Sequence, residues 1–199
     1  KQTGLDKNTI IVFTSDHGYH LGEHGHWQKQ TLFENATRVP LIFSVPWTET
    51  TIKRTNTPVE LIDIYPTIMD LVDIKIPNHV VGKSLKDVML TNTSNVRNSA
   101  LTKWRNGYSI KTEQYRITKW GEHGELGYEL YDHLADHKEL NNLANDTSKY
   151  LLLDSLKTII DKRINEVNII PNGLGRQLIN VKSLNKAPNL TFGDLHNEK

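Results

Sequence analysis

Two short apolar runs near the start of the chain predict β-strands. The first is Ile-Ile-Val-Phe-Thr at residues 10–14, and the second lies within Arg-Val-Pro-Leu-Ile-Phe-Ser-Val-Pro at residues 38–46. Nearly continuous apolar runs of this length are typical of strands buried on both faces of a parallel sheet. The stretch between them is polar and rich in Gly and His, with one helical turn predicted at residues 31–37. Strand, polar crossover and strand together predict an α/β fold.

Residues 56–74 combine helix signals with an interrupting proline. Thr57, Pro58 and Glu60 match the N-cap, the first-position proline and the third-position Glu of a helix start. Pro66 cannot lie deep inside one continuous helix. The sequence therefore predicts a short turn and then a helix from Pro66 to about Val72. A loop leading to a short helix is predicted within residues 76–89.

The pattern changes from about residue 99. Residues 99–120 alternate as antiparallel strands do, with a turn near Glu113 and Gln114, and residues 128–133 predict a further short strand. Residues 147–167 carry apolar side chains at helical spacing: Leu152, Leu156, Ile159, Ile160, Ile164 and Val167. The tail from Asn168 shows no clear period and is predicted to be mostly irregular. We therefore expect an α/β part at residues 1–95 and a subdomain of antiparallel sheet, helix and tail at residues 96–199.

Composition narrows the class of protein. The chain has 199 residues, 37% hydrophobic and 24% charged, with a formal net charge of +1. These values are typical of a folded globular protein without a global field that recruits nucleic acid or an anionic membrane. No apolar run is long enough to span a bilayer. The polar opening "KQTGLDKN" is not a signal segment, and the missing initiator Met leads us to expect a fragment or processed chain.

The chain contains no cysteine. This excludes disulfides, thiolate metal sites and any cysteine-derived nucleophile within these residues.

Asp16 and His17 stand where the first predicted strand ends, followed by Gly18, which permits a tight turn. Side chains at the carboxyl end of such a strand face the crevice in which α/β sheets bind ligands. A carboxylate and an imidazole make half of a divalent-cation site, although Ca²⁺ requires further oxygen ligands. Lys29 adds a point charge that can reach an anionic group beside the metal. A cation and an ammonium around one cavity predict an anionic substrate: sulfate, phosphate or phosphonate.

The stretch "TSDHGYHLGEHGHWQKQTLFENATRVPLIFSVP" resembles the C-terminal metal-site segment of the type I, formylglycine-dependent sulfatases of the alkaline phosphatase superfamily. Asp-His in place of the commoner Asp-Asn, together with "GEHGHWQK", is most similar to iduronate-2-sulfatase within that family. The resemblance continues through "TPVELIDIYPTIMDLV", "GKSL", "NGYSIKTEQYRITKW" and "ELYDHLADHKELNNLA". It covers the chain from about residue 8 to residue 165.

The resemblance implies roles for five residues. Asp16 and His17 would be calcium ligands, and Lys29 would be a catalytic residue that contacts the sulfate and stabilises charge as the S–O bond breaks. Tyr19 and His20 would line the substrate pocket, with simple loop packing as the alternative.

Other residues receive structural roles. Glu34 and Arg38 are expected to hold the loop by ion pairing, and His24 and His26 are expected to be loop residues rather than ligands. Four residues of the small sheet either reach a uronate carboxylate or lie on an exposed strand face, the second being the preferred interpretation: Trp104, Arg105, Lys111 and Arg116.

The fold implied is the sulfatase α/β sandwich around a large mixed sheet, of which this chain forms the C-terminal part, plus a four-stranded antiparallel sheet with a packed helix. No Cys-x-Pro-Ser-Arg or Ser-x-Pro-x-Arg motif, the source of formylglycine, occurs here. We therefore expect the nucleophile and the remaining ligands of one shared Ca²⁺ from an N-terminal part of the same sulfatase, as a separate chain or missing segment. Alone, this chain should be inactive and should aggregate through unpaired strand edges.

The expected substrate is a sulfated oligosaccharide or polysaccharide, and the expected location is periplasmic or secreted. Neither nucleic acid nor membrane is expected as a partner. Two alternatives remain open: a phosphonate or phosphodiester hydrolase of the same superfamily, and a non-catalytic module that binds sulfated glycans.

Overall fold

The computed structural model describes residues 2–48, 54–91 and 96–169. The strands are β1 (Ile11–Thr14), β2 (His20–Leu21), β3 (Trp27–Gln28), β4 (Leu41–Ser44), β5 (Ala100–Trp104), β6 (Gly107–Lys111), β7 (Tyr115–Trp120) and β8 (Gly127–Asp132). The α-helices are α1 (Glu34–Thr37), α2 (Ile64–Leu71), α3 (Lys86–Leu90) and α4 (Tyr150–Asn168). The irregular tail predicted from Asn168 lies, from residue 170 onward, outside the described residues. None of the described helices has the length and apolar character needed to cross a bilayer.

The two apolar runs at the start do form strands, but the prediction that they belong to a buried parallel arrangement is wrong. β1 and β4 pair antiparallel, with Ile11 opposite Ser44. The connection between them contains a hairpin and one helical turn instead of the crossover helix that joins parallel strands. Within the described residues one face of the pair is open, since Ile11, Phe13 and Ile42 are 57%, 60% and 57% exposed.

The helix predicted from Pro66 to about Val72 is confirmed as α2, which begins two residues earlier, at Ile64. The helix-start signals at residues 57–60 have a different role from the one predicted. Glu60, predicted at the third helical position, is instead the N-cap of a 3₁₀ turn, Leu61–Asp63, and forms a capping box with Asp63. The continuing helix α2 then places Pro66 in its first turn, where the missing amide proton has no intrahelical partner to lose. The Asp63 carboxylate accepts from the Glu60 amide at 2.8 Å, whereas Thr57 and Pro58 precede the turn in irregular chain.

The C-terminal antiparallel sheet and its packed helix are confirmed. Strands β5, β6, β7 and β8 pair in sequence order, and Ile110, Ile117 and Leu130 on their covered face have no exposed area. Helix α4 adds Leu156 and Ile160 to the same core. The period of 3.6 thus identifies the helix face correctly, except that Val167 is 45% exposed.

Residues 1–169 form one compact unit. Arg97, a buried residue at the start of the second predicted domain, pairs with Glu60 and Asp63 of the first, and the Leu101 amide donates to Glu60 at 2.8 Å. Arg163 of α4 also donates to Glu60, at 2.6 Å. The predicted boundary at residues 95 and 96 lies beside residues that are not described and stays a prediction.

Candidate metal and anion site

The candidate site begins where β1 ends. Asp16 and His17 follow directly in an irregular turn, in which the Ser15 hydroxyl donates to the His17 carbonyl oxygen at 2.8 Å. The amide of Gly18 donates to the carbonyl oxygen of Ala36 in α1 at 2.8 Å. The turn is therefore anchored to a helix that follows it by almost twenty residues. We call residues 15–18 the ligand turn.

Hydrogen bonds fix the orientation of the His17 ring. Its Nδ1 lies 2.7 Å from the Gly18 carbonyl oxygen, which can only accept, so Nδ1 carries the proton. Nε2 then presents its lone pair, and the Lys29 ammonium donates to it at 2.8 Å. A backbone carbonyl behind one ring nitrogen is the usual way in which a metal-binding histidine is aimed. The structure thus brings together three predicted site residues: Asp16, His17 and Lys29.

A short hairpin carries Lys29 to the ligand turn. Strands β2 and β3 pair His20 with Gln28 and Leu21 with Trp27. Gln28 adopts φ 74°, a left-handed conformation that is uncommon for a residue other than glycine. This reversal immediately precedes Lys29, and Thr31 next bonds through its amide to the Lys29 carbonyl at 2.9 Å. The conformation at Gln28 therefore sets the direction in which the chain presents the lysine.

Glycine is required at the point where α1 meets the ligand turn. A Cβ at Gly18 would lie 2.9 Å from the Asn35 carbonyl carbon and 3.1 Å from the Arg38 carbonyl oxygen, and closer still to the Asn35 oxygen. Ala36 beside it is 5% exposed. The backbones are therefore in direct contact, without an intervening side chain.

The donors at the ligand turn fit part of a divalent-cation site. The Asp16 side chain is 82% exposed, and its Oδ1 lies 3.6 Å from His17 Nε2. Two ligands at right angles around Ca²⁺, each about 2.4 Å from the ion, would be about 3.4 Å apart. The observed spacing and the open carboxylate suit one shared cation. Two donors leave most of a calcium shell to be filled by other groups.

Tyr19 and His20 go to opposite environments. The Tyr19 side chain is 52% exposed, whereas His20 has no exposed area and its Nε2 lies 2.7 Å from the Thr31 hydroxyl. Burial, followed by the nearby charges of His24 and His26, lowers the pKa of His20 below its ordinary value. His20 supports the hairpin from inside, which fits the alternative of simple loop packing, and its contact with substrate stays a prediction.

His24 packs within the hairpin, and whether His24 and His26 are loop residues rather than ligands stays a prediction. His24 stacks on Phe33 with ring centroids 3.9 Å apart, and its ring lies 6.0 Å from that of His20. The stacked pair closes one side of the hairpin against the residue that precedes α1.

Ion pairs hold α1 in place, as expected for Glu34 and Arg38, whose side chains approach to 3.4 Å. The sequence does not reveal a second ion pair of Glu34, formed with Arg116. Arg116, for which an exposed strand face was the preferred interpretation, is 2% exposed and pairs with Glu34 and Glu139. That interpretation is wrong because the face of β7 opposite Ile117 is covered as well, and a buried arginine there is stable only when paired. The helical turn at residues 34–37 and the alternation of β7 are the only sequence signals, and neither identifies the partners.

Glu34, His133 and Glu139 have ligand atoms within 4.8 Å of one another, a spacing that a metal ion also favours. Here the Arg116 guanidinium already donates to Glu34 and to Glu139. Burial raises the pKa of Glu139, but His133, Arg116 and the Glu34 amide outweigh burial and hold that pKa below its usual value. The group is therefore an ion-pair cluster whose charge is balanced by arginine.

The remaining predicted residues of the small sheet do not form a common site. Arg105 lies over the Trp104 ring at 5.6 Å from its centroid. Lys111 donates to the carbonyl oxygens of Thr112 and Glu113 at 2.6 and 2.9 Å, and burial lowers the pKa of its ammonium. A uronate contact by these residues stays a prediction.

Known proteins resemble this chain over most of its described length. The family model "N-sulphoglucosamine sulphohydrolase, C-terminal" matches residues 22–166. A sulfatase of Formosa agariphila is 35% identical over 163 residues, which are 81% of this chain and 31% of the relative.

Two solved structures show a similar fold. A 2-O GAG sulfatase superposes with a TM-score of 0.72 at 26% identity, covering 80% of this chain and 37% of that one. A phosphonate monoester hydrolase of Silicibacter pomeroyi has a TM-score of 0.72 at 25% identity, covering 85% and 37%. The predicted fold class, the C-terminal part of the sulfatase fold in the alkaline phosphatase superfamily, is confirmed. The chain spans about a third of the length of these relatives. It belongs to the sulfatase family, whose model "N-sulphoglucosamine sulphohydrolase, C-terminal" it matches.

Proposed function

We propose that this chain supplies one wall of the active site of a calcium-dependent sulfatase that hydrolyses sulfate esters of glycans. One observation carries the proposal: the Lys29 ammonium lies 2.8 Å from His17 Nε2, and Asp16 Oδ1 lies 3.6 Å from the same nitrogen. Two ligands suited to a cation and one group suited to an anion therefore meet at the end of one strand. The family membership and the likeness to a 2-O GAG sulfatase support sulfate as the anion.

Asp16 and His17 would hold the calcium ion, which polarises sulfate oxygens when bound. His17 Nε2 has one lone pair, so it can serve Lys29 or a cation but not both. With a cation at His17, the Lys29 ammonium is released to pair with a sulfate oxygen. There it neutralises charge as the ester bond breaks. Tyr19, which is 52% exposed directly after the ligand turn, would contact the sugar.

The nucleophile belongs to another part of the protein under this proposal. The chain has no cysteine and spans about a third of its relatives, so a formylglycine residue and the other calcium ligands would come from an N-terminal part. The open face of β1 and β4 carries Ile11, Phe13 and Ile42, all more than half exposed, and gives that part an apolar surface to cover. The likeness to iduronate-2-sulfatase in the ligand turn favours a sulfated uronate, and a periplasmic or secreted location accompanies such a substrate.

A second candidate is hydrolysis of phosphonate monoesters. The likeness to the Silicibacter pomeroyi hydrolase favours it, because that structure superposes as well as the 2-O GAG sulfatase does. An ammonium and a divalent cation neutralise phosphonate and sulfate alike. Both substrates carry a single negative charge at neutral pH and differ in the atom that is attacked, sulfur or phosphorus. Rates on matched esters therefore separate the two functions.

Sulfate release from sulfated oligosaccharides tests the proposal. The complete protein that carries this chain should release sulfate, detected by ion chromatography, and Lys29→Ala should lower kcat/KM by about 10²-fold or more. Lys75→Ala, which removes an exposed lysine after α2, is the matched control and should keep the wild-type rate. Binding of the oligosaccharide without release of sulfate would favour a glycan-binding module instead.

A further inference from the structure

We propose that Arg116 and Glu139 are positioning residues for the ligand turn, acting through α1. The inference rests on the proposed function, because it concerns the same site. Arg116 lies on β7 and Glu139 follows β8, so both belong to the C-terminal sheet rather than to the chain around the ligands. Neither touches Asp16, His17 or Lys29 among the contacts of the described residues.

The first step is the hold that Arg116 and Glu139 have on α1. Arg116 Nη2 donates to the Glu34 carboxylate, and Arg116 Nε donates to Glu139 Oε1 at 2.5 Å. Glu139 Oε2 in turn accepts from the Glu34 amide at 2.7 Å. The first residue of α1 is thus bound twice, through its side chain and through its backbone. A single helical turn of four residues is not stable by itself, so these bonds decide where α1 lies.

The second step is the coupling of α1 to the ligand turn. The Gly18 amide donates to Ala36, and there is no room for a Cβ at Gly18 against the Asn35 carbonyl. Gly18 also accepts the His17 Nδ1 proton at 2.7 Å. A displacement of α1 therefore moves the carbonyl that orients the His17 ring.

The third step is the way in which the C-terminal sheet holds Arg116 and Glu139 rigidly in place. Glu139 is 2% exposed and adopts φ 57°, which is costly for a residue other than glycine. His133 Nε2 lies 2.7 Å from the same Oε1 that accepts from Arg116, and the Ser109 hydroxyl accepts from Arg116 Nη1 at 3.2 Å. Among the described residues, every polar contact of the Arg116–Glu139 pair, apart from those to α1, is thus with the C-terminal sheet or the loop after it. The pair transmits the position of the sheet to α1.

A second buried arginine in the chain provides a matched comparison. Arg97 is 8% exposed and also pairs with two carboxylates, those of Glu60 and Asp63. These partners belong to the start of α2 rather than to α1. Weakening either arginine should therefore destabilise the fold, but only Arg116 should affect the ligand turn.

The test compares Arg116→Lys with Arg97→Lys in the complete protein. Lysine keeps the charge but cannot reproduce the planar, forked hydrogen bonding of arginine. At matched loss of melting temperature, Arg116→Lys should speed hydrogen exchange at the Gly18 amide at least tenfold and lower kcat at least tenfold. Arg97→Lys should leave both within about threefold, since it preserves the contacts of α1. Equal effects of the two variants, or unchanged exchange and kcat in Arg116→Lys, would overturn the proposal.

If Arg116→Lys does not fold, a milder pair of variants provides the same test. Glu34→Gln retains a hydrogen-bond acceptor for Arg116 and removes the charge, and Glu60→Gln does the same for Arg97. The same contrast in Gly18 exchange and kcat is expected, and its absence would count against the proposal. Amide exchange does not depend on catalysis. A wild-type protein that releases no sulfate would refute the proposed function, whereas unaltered Gly18 exchange in the Arg116 and Glu34 variants would refute the positioning role alone.

Discussion

Gly18→Ala tests the contact between the ligand turn and α1 most sharply. The added Cβ would lie 2.9 Å from the Asn35 carbonyl carbon, and closer than 3.0 Å to its oxygen, distances that Cβ atoms do not tolerate. Because both neighbours are backbone atoms, no side chain can rotate to relieve the overlap. The two segments must separate by about 1 Å, a displacement that near a reacting group costs about 10²-fold in rate. Overpacking of this kind also costs about 1–3 kcal/mol of unfolding free energy.

The assay is kcat/KM for sulfate release by the complete protein, with the free energy of unfolding measured in urea. Gly82→Ala is the control, because its Cβ would lie 2.7 Å from the Ile62 carbonyl carbon and 3.1 Å from Pro66 Cγ. We expect a similar loss of stability in both variants and a loss of about 10²-fold in kcat/KM for Gly18→Ala alone. Full activity in a folded Gly18→Ala variant would refute the claim that α1 fixes the ligand turn.

Three further predictions concern the cation, the buried histidine and the open apolar face. Asp16→Asn should weaken Ca²⁺ binding to the complete protein by about tenfold or more in calorimetry, since a charged ligand is lost; unchanged affinity would exclude Asp16 as a ligand. The pKa of His20 is lowered from 6.5, so the unfolded state binds the extra proton. Its contribution to stability is therefore full above pH 6.5 and is lost as the pH falls through the folded pKa. Urea midpoints should fall on acidification from pH 7.5 in the wild type and fall less in a folded His20→Gln variant; parallel pH profiles would contradict this. Light scattering should show that the isolated chain self-associates, and Phe13→Lys, which places a charge on the open face of β1 and β4, should reduce the association. A monomeric wild-type chain would contradict this prediction.

The sequence predicts the C-terminal sheet well because its signals are local. Alternation in residues 99–120 marks the sheet face that carries Ile110 and Ile117, and the 3.6 period of residues 147–167 marks the helix face that packs on it through Ile160. The same reasoning fails for β1 and β4. Their apolar runs indicate burial on both faces, but pairing direction depends on the connection, and the polar stretch between them does not reveal a hairpin.

The candidate site also has residues that the sequence identifies and residues that only the fold reveals. Asp16, His17 and Lys29 were identified from chain order and from the family resemblance, and the structure places them in contact. The sequence does not identify Glu34 and Glu139 as partners of Arg116. Both lie far from Arg116 along the chain, and each of the three residues alone is typical of a surface position. Buried ion pairs join distant segments and leave no periodic pattern, so only the fold reveals them.

The most direct test of the central claim is a ratio of two rates in the complete protein. It compares kcat/KM for an aryl sulfate with kcat/KM for an aryl phosphonate monoester that has the same phenol as leaving group. Because the leaving group is held constant, the ratio reports which anion the site around Asp16, His17 and Lys29 prefers. A ratio well above one, with kcat/KM for the aryl sulfate falling about 10²-fold in Lys29→Ala, is the result that a sulfatase predicts. A ratio below one, or a kcat/KM for the aryl sulfate that Lys29→Ala leaves unchanged, would contradict the assignment.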